Sequence, residues 1–508
     1  MNHLPAPAPV RRRAPLWPGG EHPAHGGLRW IAAVAAVYTA VQLALAVRGT
    51  SLGWDETVYV SQVTPGSEAA FFSAPRARGI AFLVAPVTAL TSSVEVLRTY
   101  LAVLSGAGLF LALAAWRGLL PQRVLVLAGG LFAGLWITVF YGPQVMPNLW
   151  VALGALFTVG CFLRVAHGRS GPAGLAGVGA GTAFVALMRP TDAFWLLVPL
   201  AAVALRSRGA RRPALIVALF AGGVIGCAPW IVEAYVAYDG LFARLRRAGE
   251  IQGHLGPHFA VDDHVRALNG RALCRPCDVP WKQPITALWF FALPLLVAGG
   301  VLAAARTRRA VTAQPVAGHP AVVPVATLVG VSMAVPYLLL VGYAAPRFLL
   351  PAYALLALPV AVCLAAVVGR VRPRGVAAVL AAALACHLVV QYVVLAGAIE
   401  RSRDNRRAFE RITAELHRQG VRPPCVISGA EAPRIAFRTG CASRQVGGHD
   451  GSITRDALGA LAAEQPVAYI GTAGNRPPEF ARDWRPVHLS GLRARPDLRA
   501  YLGPATHP

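Results

Sequence analysis

An adjacent pair of carboxylates, Asp55 and Glu56, follows the first apolar stretch of the chain. A carboxylate placed just beyond an apolar helix can take a proton from a hydroxyl or an amine as a general base. Apolar surroundings and the second acid would raise the pKa of Asp55, which suits that task. The alternative is structural, because acidic residues stabilise the first turn of a helix through its dipole.

Arginines near the ends of later apolar stretches form a second group with chemical potential. Guanidinium groups hold phosphate through paired hydrogen bonds and stabilise the charge that develops on a leaving group. Arg98, Arg189 and Arg347 occupy such positions. Each is alternatively an interfacial anchor whose side chain extends towards lipid headgroups. Arg189 can also pair with Asp192, one turn away, if Pro190 does not break the helix.

Histidine and cysteine residues give weaker signals. His258 belongs to a polar cluster that either shapes a substrate pocket or is a solvated loop. The cysteines outside the apolar stretches are even in number, which fits disulfides in an oxidising compartment, and we expect Cys274 to pair with Cys277 and Cys425 with Cys441. A zinc site at the Cys-x-x-Cys segment would need two more ligands, and the nearby histidines have unfavourable spacing. No metal or other cofactor is therefore expected, with a divalent cation left as an open alternative.

The composition indicates which elements position these residues. The chain has 508 residues, is 56% hydrophobic and only 14% charged, and has a mean hydropathy of +0.52. Apolar stretches of about 18 residues or more, typical of membrane helices, fill most of the region between residues 30 and 397. The net charge of +25 would suggest nucleic acid, but many arginines lie in short loops between apolar stretches, as the positive-inside rule requires. Nucleic-acid binding is therefore not expected.

We predict an α-helical polytopic membrane protein with about eleven spans and a cytoplasmic N-terminus. The predicted spans are residues 30–47, 95–116, 123–141, 148–166, 173–188, 192–205, 213–237, 284–305, 321–343, 348–368 and 375–397. The short apolar stretch at residues 79–91 is predicted to be a juxtamembrane helix, because counting it as a span would move the arginine-rich loops outside.

The segments outside the predicted spans are expected on one or the other side of the membrane. A cytoplasmic tail is expected at residues 1–29, outer loops at 48–94 and 238–283, and an extracytoplasmic domain at 398–508. The last segment is long enough for a small domain, and its pattern predicts an α/β fold. Its predicted elements are a helix at residues 403–419, a strand at 423–428, a helix at 456–464 and a strand at 467–471.

This layout resembles the type C glycosyltransferases, the superfamily of the protein mannosyltransferases and the aminoarabinose transferases. The shared features are a first helix that starts inside, a long outer loop that opens with an Asp-Glu pair followed by Tyr, a short juxtamembrane helix and a second helix that starts near an Arg. Asp55, Glu56, Tyr59, residues 79–91 and Arg98 correspond to them here. The resemblance covers the membrane portion, about three quarters of the chain, and lies in layout rather than in any one motif.

The resemblance implies roles for the residues of the first outer loop. Asp55 would be the catalytic base, and Glu56 a supporting acid that orients the acceptor or the base. Many relatives carry a basic residue followed by Pro-Pro-Leu before the juxtamembrane helix, whereas this chain has Ala-Pro-Arg-Ala-Arg-Gly. Arg76 or Arg78 is therefore expected to supply that positive charge.

The resemblance extends to two later segments. Residues 344–351, Ala-Ala-Pro-Arg-Phe-Leu-Leu-Pro, resemble the Arg-Tyr/Phe-Leu-Leu-Pro segment of the superfamily and make Arg347 the best candidate for binding the donor phosphate. Asn148 stands where many relatives have an acid, which argues against a second catalytic carboxylate and a tightly bound divalent metal. Tyr59, Asn148 and His258 are expected at the substrate pocket.

The implied function is the transfer of a sugar from a polyprenyl-phosphate donor to a lipid, glycan or protein acceptor, with inversion, at the outer face of the plasma membrane. The chain has no Walker A sequence, in line with a donor that is not a nucleotide. Two other classes remain open: a transporter or flippase of lipid-linked envelope precursors, and a non-catalytic envelope scaffold. The predicted helix centres hold almost no ionisable residues, which disfavours transport, and the Asp-Glu pair disfavours a scaffold.

Overall fold

A computed structural model describes residues 26–207, 211–254, 256–281, 283–311, 321–370, 374–472, 474–489, 491–492 and 497–506. The predicted cytoplasmic tail, residues 1–29, therefore lies almost wholly outside the described residues. The helices up to the C-terminal domain are α1 (Gly26–Leu45), α2 (Trp54–Ser61), α3 (Gly79–Thr88), α4 (Val94–Ala114), α5 (Gln122–Ala133), α6 (Trp136–Tyr141), α7 (Pro147–Ala166), α8 (Pro172–Met188), α9 (Pro190–Arg206), α10 (Arg212–Ala237), α11 (Leu241–Ile251), α12 (Val261–Ala267), α13 (Leu288–Val311), α14 (Val322–Leu339), α15 (Leu350–Arg370) and α16 (Arg374–Arg418).

The helical membrane fold predicted from composition is confirmed. Among the described residues, eight helices are long and apolar enough to cross a membrane: α1, α4, α7, α10, α13, α14, α15 and α16. Exposed large apolar side chains such as Phe220, Leu295 and Val379 lie on these helices, which is typical of surfaces that contact lipid. The other three predicted spans correspond to α8, α9 and the pair α5 and α6, which are shorter. The count of eleven and the orientation remain predictions.

The predicted span at residues 123–141 differs from the structure, because it is divided between α5 and α6. The break lies at Gly134 and Leu135, and the backbone N–H of Trp136 donates to the side-chain oxygen of Gln391 on α16, 2.9 Å away. This bond satisfies a backbone group that the broken helix leaves without an internal partner. The break allows α6 to end at Tyr141, whose ring centroid lies 5.9 Å from the guanidinium carbon of Arg347.

Proline and glycine fix the ends of helices around the site. Helices α7, α8 and α9 each begin with a proline, the residue that fits the first helical position because its missing N–H would have no partner there. Pro190 thereby separates α8 from α9 and leaves Arg189 in extended backbone between them. Helix α3 packs closely on this junction, since a Cβ at Gly79 would lie 2.5 Å from the carbonyl oxygen of Leu187.

Helix α16 joins the membrane portion to the C-terminal domain. It runs for 45 residues without interruption, whereas the sequence predicted a span to residue 397 and a separate helix from 403. No glycine or proline lies between residues 398 and 402, so nothing in the sequence ends the helix there. Phe409, Ile412 and Leu416, the predicted apolar face, are buried in the core of the C-terminal domain.

The C-terminal domain is the small α/β unit that the sequence predicted. Its further elements are β1 (Val426–Gly429), α17 (Ala432–Thr439), β2 (Ala442–Ser443), α18 (Arg455–Glu464), β3 (Val467–Thr472), β4 (Arg485–Leu489) and β5 (Leu498–Leu502). The strand order is β2-β1-β3-β5-β4, in which β1 pairs in parallel with β2 and β3, and β5 runs antiparallel to β3 and β4. The predicted strand at 467–471 and helix at 456–464 match β3 and α18 closely, while β2, β4, β5 and α17 were not predicted.

The C-terminal domain docks on the first outer loop. Helix α17 packs against α2, the helix that carries Asp55. A salt bridge joins Arg444 to Glu68 at 3.3 Å, and the hydroxyl of Ser402 accepts a hydrogen bond from the backbone N–H of Ser51 at 3.2 Å. These contacts place the domain directly beside the predicted catalytic segment.

Candidate functional site

The Asp-Glu pair opens the short helix α2. Gly53 caps the helix in an extended conformation, and its backbone N–H donates to Glu56 Oε2 at 2.8 Å. This bond makes Glu56 part of a capping arrangement, in which a side chain satisfies an N–H that the helix leaves free. Asp55 and Glu56 therefore leave the helix from the same first turn, but their side chains enter different environments.

Glu56 is buried in a dense set of polar contacts. Its two oxygens form a bidentate ion pair with Arg98 at 2.5 and 2.9 Å, and Oε1 also accepts the backbone N–H of Val145 at 2.7 Å. Arg98 in turn donates to the carbonyl oxygens of Ser51 and Pro143 at 2.8 and 2.9 Å. The pair therefore ties α2 to α4 and to the segment that precedes α7.

This arrangement bears on two residues that the sequence singled out. Both Nη groups of Arg98 donate to Glu56 and to carbonyl oxygens, and the side chain is only 2% exposed. Arg98 is thus placed to hold Glu56 and the loop rather than a donor phosphate. Glu56 is likewise placed to position the segment that carries Asp55.

Asp55 has a more open environment. Its side chain is 35% exposed, and its two oxygens accept separate ion pairs from Arg76 Nη2 at 2.8 Å and from Arg347 Nη2 at 3.1 Å. The two arginines come from distant parts of the chain, one from the loop before α3 and one from the turn before α15. The fold thus brings the predicted base together with two predicted phosphate-binding residues.

The electrostatic state of Asp55 differs from the sequence expectation. Burial raises the pKa of this carboxyl, but the positive charges of Arg76 and Arg347, with a further contribution from Arg189, outweigh it. The net effect lowers the pKa below its ordinary value of 3.8. The expected upward shift was wrong, because the pattern of apolar residues and acids gave no sign that arginines would converge here.

Arg76 connects Asp55 to two other parts of the molecule. Its Nη1 donates to the hydroxyl of Ser73 and lies 3.7 Å from Oδ1 of Asp450, a residue of the C-terminal domain. Its backbone carbonyl oxygen accepts a hydrogen bond from Arg244 Nη2 at 3.0 Å. Asp450 and Arg244 were not among the residues predicted for the site.

Arg244 holds the loop that presents Arg76. It is fully buried, donates to the carbonyl oxygens of Ala74 at 3.1 Å and Trp230 at 2.6 Å, and pairs with Glu233 at 2.8 Å. A signal for this role was present in the sequence, because Glu233 is an acid near the end of an otherwise apolar helix and needs a charged partner if it is buried.

Arg78, the alternative to Arg76, faces away from Asp55. Its guanidinium pairs with Glu233 at 2.6 Å and stacks on Phe72, with 4.6 Å from the guanidinium carbon to the ring centroid. Together with Tyr238 and Gly451 these residues line a cavity of about 380 Å³ beside the site. The structure thus separates the two arginines of the Ala-Pro-Arg-Ala-Arg-Gly segment, and only Arg76 reaches the carboxylate.

Arg347 is buried next to the carboxylate. Its Nη1 donates to the carbonyl oxygen of Ala272 at 2.8 Å, while Nε has no hydrogen-bond partner among the described residues. Cys274, close to Ala272 in the second outer loop, exchanges two backbone hydrogen bonds with Ala344 at 2.8 and 3.2 Å. This short pairing brings the carbonyl oxygen of Ala272 to Arg347.

Arg189 lies at the junction of α8 and α9. Its Nε is 3.0 Å from Oδ2 of Asp192, so the ion pair that the sequence allowed is formed although Pro190 begins a new helix. The guanidinium carbon lies 5.7 Å and 5.6 Å from the ring centroids of Tyr337 and Phe348. Its charge acts on Asp55 without a direct ion pair.

The three residues predicted for the substrate pocket are placed differently. Tyr59 is buried one turn after Asp55, with its ring edge-on to Phe72 at 5.9 Å between centroids. Asn148 is buried, and neither its side-chain oxygen nor its nitrogen has a partner in the described part of the chain. His258 is exposed, and its backbone N–H donates to the carbonyl oxygen of Leu339 at 2.9 Å. This bond places His258 at the end of α14.

The second outer loop also contains a buried histidine from the polar cluster. Nε2 of His264, on α12, lies 3.2 Å from the carbonyl oxygen of Tyr337. Burial lowers the pKa of His264 to about 4, so that it is neutral near pH 7. This residue therefore packs the loop against α14 and adds no charge to the site.

The four outer cysteines are joined in pairs, Cys274 with Cys277 and Cys425 with Cys441. The cysteines inside the apolar helices are free. Within the described ranges, no group of three or more His, Cys, Asp or Glu side chains is arranged to hold a metal ion. The site is thus built from carboxylates and arginines.

Comparison with known proteins gives matches in three dimensions only. No protein-family model matches the chain, and no curated protein does. ArnT from Cupriavidus metallidurans bound to undecaprenyl phosphate is similar in structure, with a TM-score of 0.66 and 13% identity over 96% of this chain and 100% of that one. The archaeal oligosaccharyltransferase AglB from Archaeoglobus fulgidus, in complex with an inhibitory peptide and a dolichol-phosphate, has a TM-score of 0.50 and 12% identity, covering 87% of this chain and 69% of that one.

Both of these proteins are type C glycosyltransferases. At this level of identity the similarity concerns the fold, and it extends over almost the whole of the chain, including the C-terminal domain. The chain therefore has the fold of these two proteins, which belong to the superfamily that its sequence resembles.

Proposed function

We propose that this protein is a membrane glycosyltransferase that moves a sugar from a polyprenyl-phosphate donor to an acceptor at the outer face of the plasma membrane. The observation that carries the proposal is the convergence of Arg76, Arg347 and Arg189 on one partly exposed carboxylate, Asp55. Arg76 and Arg347 both contact this one carboxylate, so an anionic ligand can compete with it for two guanidinium groups, while Arg189, itself paired with Asp192, acts at longer range. The fold is also that of a protein solved with undecaprenyl phosphate.

The donor phosphate binds to Arg76 and Arg347 in this proposal. Each guanidinium uses one terminal nitrogen on Asp55, and a phosphate oxygen can compete for such donors because, like a carboxylate, it accepts paired, charge-assisted hydrogen bonds. The buried Nε of Arg347 has no partner among the described residues, so this guanidinium has one donor that forms no hydrogen bond there. Arg189 adds long-range stabilisation.

Binding of the phosphate activates the base. In the free protein the arginines hold the pKa of Asp55 low, which makes its carboxylate a weak base. When the phosphate takes over the arginines, Asp55 loses its counter-charges and gains an anionic neighbour, and both changes raise its pKa. Donor binding thereby prepares Asp55 to accept a proton.

The transfer then requires one displacement. Asp55 takes the proton of the acceptor hydroxyl or amine as that atom attacks the anomeric carbon from the face opposite the phosphate. The bond from the anomeric carbon to the phosphate oxygen breaks, and its electron pair stays on the polyprenyl phosphate, where Arg76 and Arg347 stabilise the new charge. Attack opposite to the leaving group inverts the anomeric centre.

The remaining polar residues position this machinery. The Glu56–Arg98 pair fixes α2 and so the location of Asp55, and Arg244 fixes the loop that carries Arg76. Tyr59, one turn after Asp55, lines the same side of α2 and is assigned to the pocket. No metal takes part in the proposed mechanism.

Replacement of the base tests the function. Asp55→Asn should lower the rate of sugar transfer from a polyprenyl-phosphate donor by about 10²- to 10⁴-fold, since it removes general-base catalysis. The assay is consumption of a panel of lipid-linked sugar donors by the purified full-length protein, with Asp456→Asn, an exposed acid on α18, as the control of equal charge. If the wild type consumes no donor in the panel, the enzymatic proposal fails; if Asp55→Asn transfers at the normal rate, the assignment of the base fails.

A further inference from the structure

We propose that Asp450 of the C-terminal domain is a specificity-determining residue that favours the sugar-phosphate donor over the polyprenyl-phosphate product and so promotes product release. The inference rests on the proposed function. It adds a residue of the C-terminal domain to the proposed phosphate site, although the sequence pattern gave this domain no residue there.

The geometry places Asp450 on the far side of the phosphate-binding arginine. Its Oδ1 lies 3.7 Å from Nη1 of Arg76, while Nη2 of the same guanidinium donates to Asp55 at 2.8 Å. Arg76 therefore bridges two carboxylates, one from the first outer loop and one from the C-terminal domain. An anion that binds Arg76 lies near both.

Asp450 is held at this position by its loop. Gln445 and Ser452 close the loop, since the backbone N–H of Ser452 donates to the carbonyl of Gln445 at 2.8 Å and the N–H of Gln445 donates to the Ser452 hydroxyl at 3.1 Å. The side chain of Gln445 binds both backbone groups of Gly429 at the end of β1, at 3.2 and 2.9 Å. The loop that carries Asp450 is thus attached to the sheet through Gln445.

The loop that carries Asp450 borders a cavity. Gly451 lines the cavity of about 380 Å³ together with Phe72, Arg78 and Tyr238. The side chain of Asp450 is 24% exposed, so it acts on a bound ligand through both protein and water. Nearby in the C-terminal domain, Arg444 forms a salt bridge with Glu68 of the first outer loop.

The donor and the product differ in the charge of the phosphate group that Arg76 binds in the proposal. The donor is a phosphodiester with one negative charge. Transfer breaks the bond to the anomeric carbon and leaves a phosphomonoester, whose second ionisation near pH 6 gives it a charge of about −1.5 to −2 at neutral pH. A fixed carboxylate repels the product about twice as strongly as the donor, because the Coulomb energy is proportional to the ligand charge.

Binding of two lipid phosphates to the full-length protein tests the inference. The probes are undecaprenyl phosphate, a monoester, and its methyl ester, a diester without a transferable sugar, each titrated at pH 7.5 and low salt. Asp450→Asn should lower the Kd for the diester by about threefold and the Kd for the monoester by about tenfold, since the doubled charge squares the effect. Asp450→Glu should keep the wild-type ratio of the two Kd values.

Controls separate this inference from the function on which it rests. Asp456→Asn removes an exposed charge on α18 of the same domain and should leave both Kd values unchanged. Equal changes for the two ligands in Asp450→Asn, or no change in either, would overturn the role of Asp450 while leaving the proposed function intact. If the wild type binds neither lipid phosphate, the proposed function fails and the inference with it.

Discussion

Asp55 and Glu56 are adjacent in the chain, but they lie in environments that differ in almost every physical respect. Glu56 is 3% exposed, holds one arginine in a bidentate pair and also accepts two backbone N–H groups. Asp55 is 35% exposed and holds two arginines, each through one nitrogen. A saturated, buried pair serves the structure, whereas an exposed carboxylate with single contacts can exchange its partners for a ligand.

The arginines that pair with these two carboxylates also differ in their other hydrogen-bond partners. Arg98 uses both terminal nitrogens on Glu56 and on two carbonyl oxygens, while Arg347 uses its own on the carbonyl oxygen of Ala272 and on the partly exposed Asp55. The Nε atoms of both arginines have no partner among the described residues. Two arginine–carboxylate sites within one loop system therefore divide the work between positioning and chemistry.

The largest effect is expected from breaking the buried pair. Glu56→Gln leaves the Arg98 charge buried without its counter-ion, which costs about 3–5 kcal/mol of folding free energy. We expect a marked fall in thermal stability of the purified protein in detergent, together with poor recovery. Asp55→Asn is the matched comparison: its lowered pKa shows that the ionised carboxylate also stabilises the fold, but the same chemical change at a one-third-exposed carboxylate should lower the unfolding temperature by less. Equal destabilisation by both variants would contradict the division.

A smaller effect is expected from replacing one of the arginines that bind the phosphate in the proposal. Arg347→Met should weaken binding of undecaprenyl phosphate by about 10- to 100-fold, the range for loss of hydrogen bonds to a charged group. Arg78→Met is the control, since Arg78 pairs with Glu233 on the far side of the loop and Glu233 keeps Arg244 as a partner. We expect that variant to bind within about threefold of the wild type. A larger loss in Arg78→Met than in Arg347→Met would reverse the assignment.

The smallest effect is a shift in pH dependence. Burial raises the pKa of Asp55 and the arginines lower it by more, so in the free protein the carboxyl titrates below 3.8. The acid limb of kcat/KM, which reports the free enzyme, should therefore lie at lower pH than the acid limb of kcat, which reports the donor complex. Profiles measured with saturating and limiting donor give both limbs. Coincident limbs, or the opposite order, would show that donor binding does not release Asp55 from its arginines.

Much of the fold followed from the sequence because its signals are local. Apolar length located the helices, and the positive charges in short loops gave an orientation for them. Helix α16 and the break between α5 and α6 were missed for specific reasons: nothing ends the former, and the latter depends on Gln391, a residue more than 250 positions away in the chain.

The candidate site could be predicted only in part. Asp55, Arg76 and Arg347 were each identified from their surroundings in the chain and from the family resemblance, and the structure brings them together. Their mutual pairing, the lowered pKa of Asp55 and the contribution of Asp450 arise from contacts between segments far apart in the chain. Such contacts have no trace in the periodicity or composition of one sequence.

The most direct test of the central claim is the affinity of Asp55→Asn for undecaprenyl phosphate, measured beside its transfer rate. If Asp55 and the donor phosphate share Arg76 and Arg347, removing the carboxylate charge frees both arginines and should tighten binding while transfer is lost. Weaker or unchanged binding, or transfer at the wild-type rate, would contradict the account that one set of arginines serves the base and the phosphate in turn.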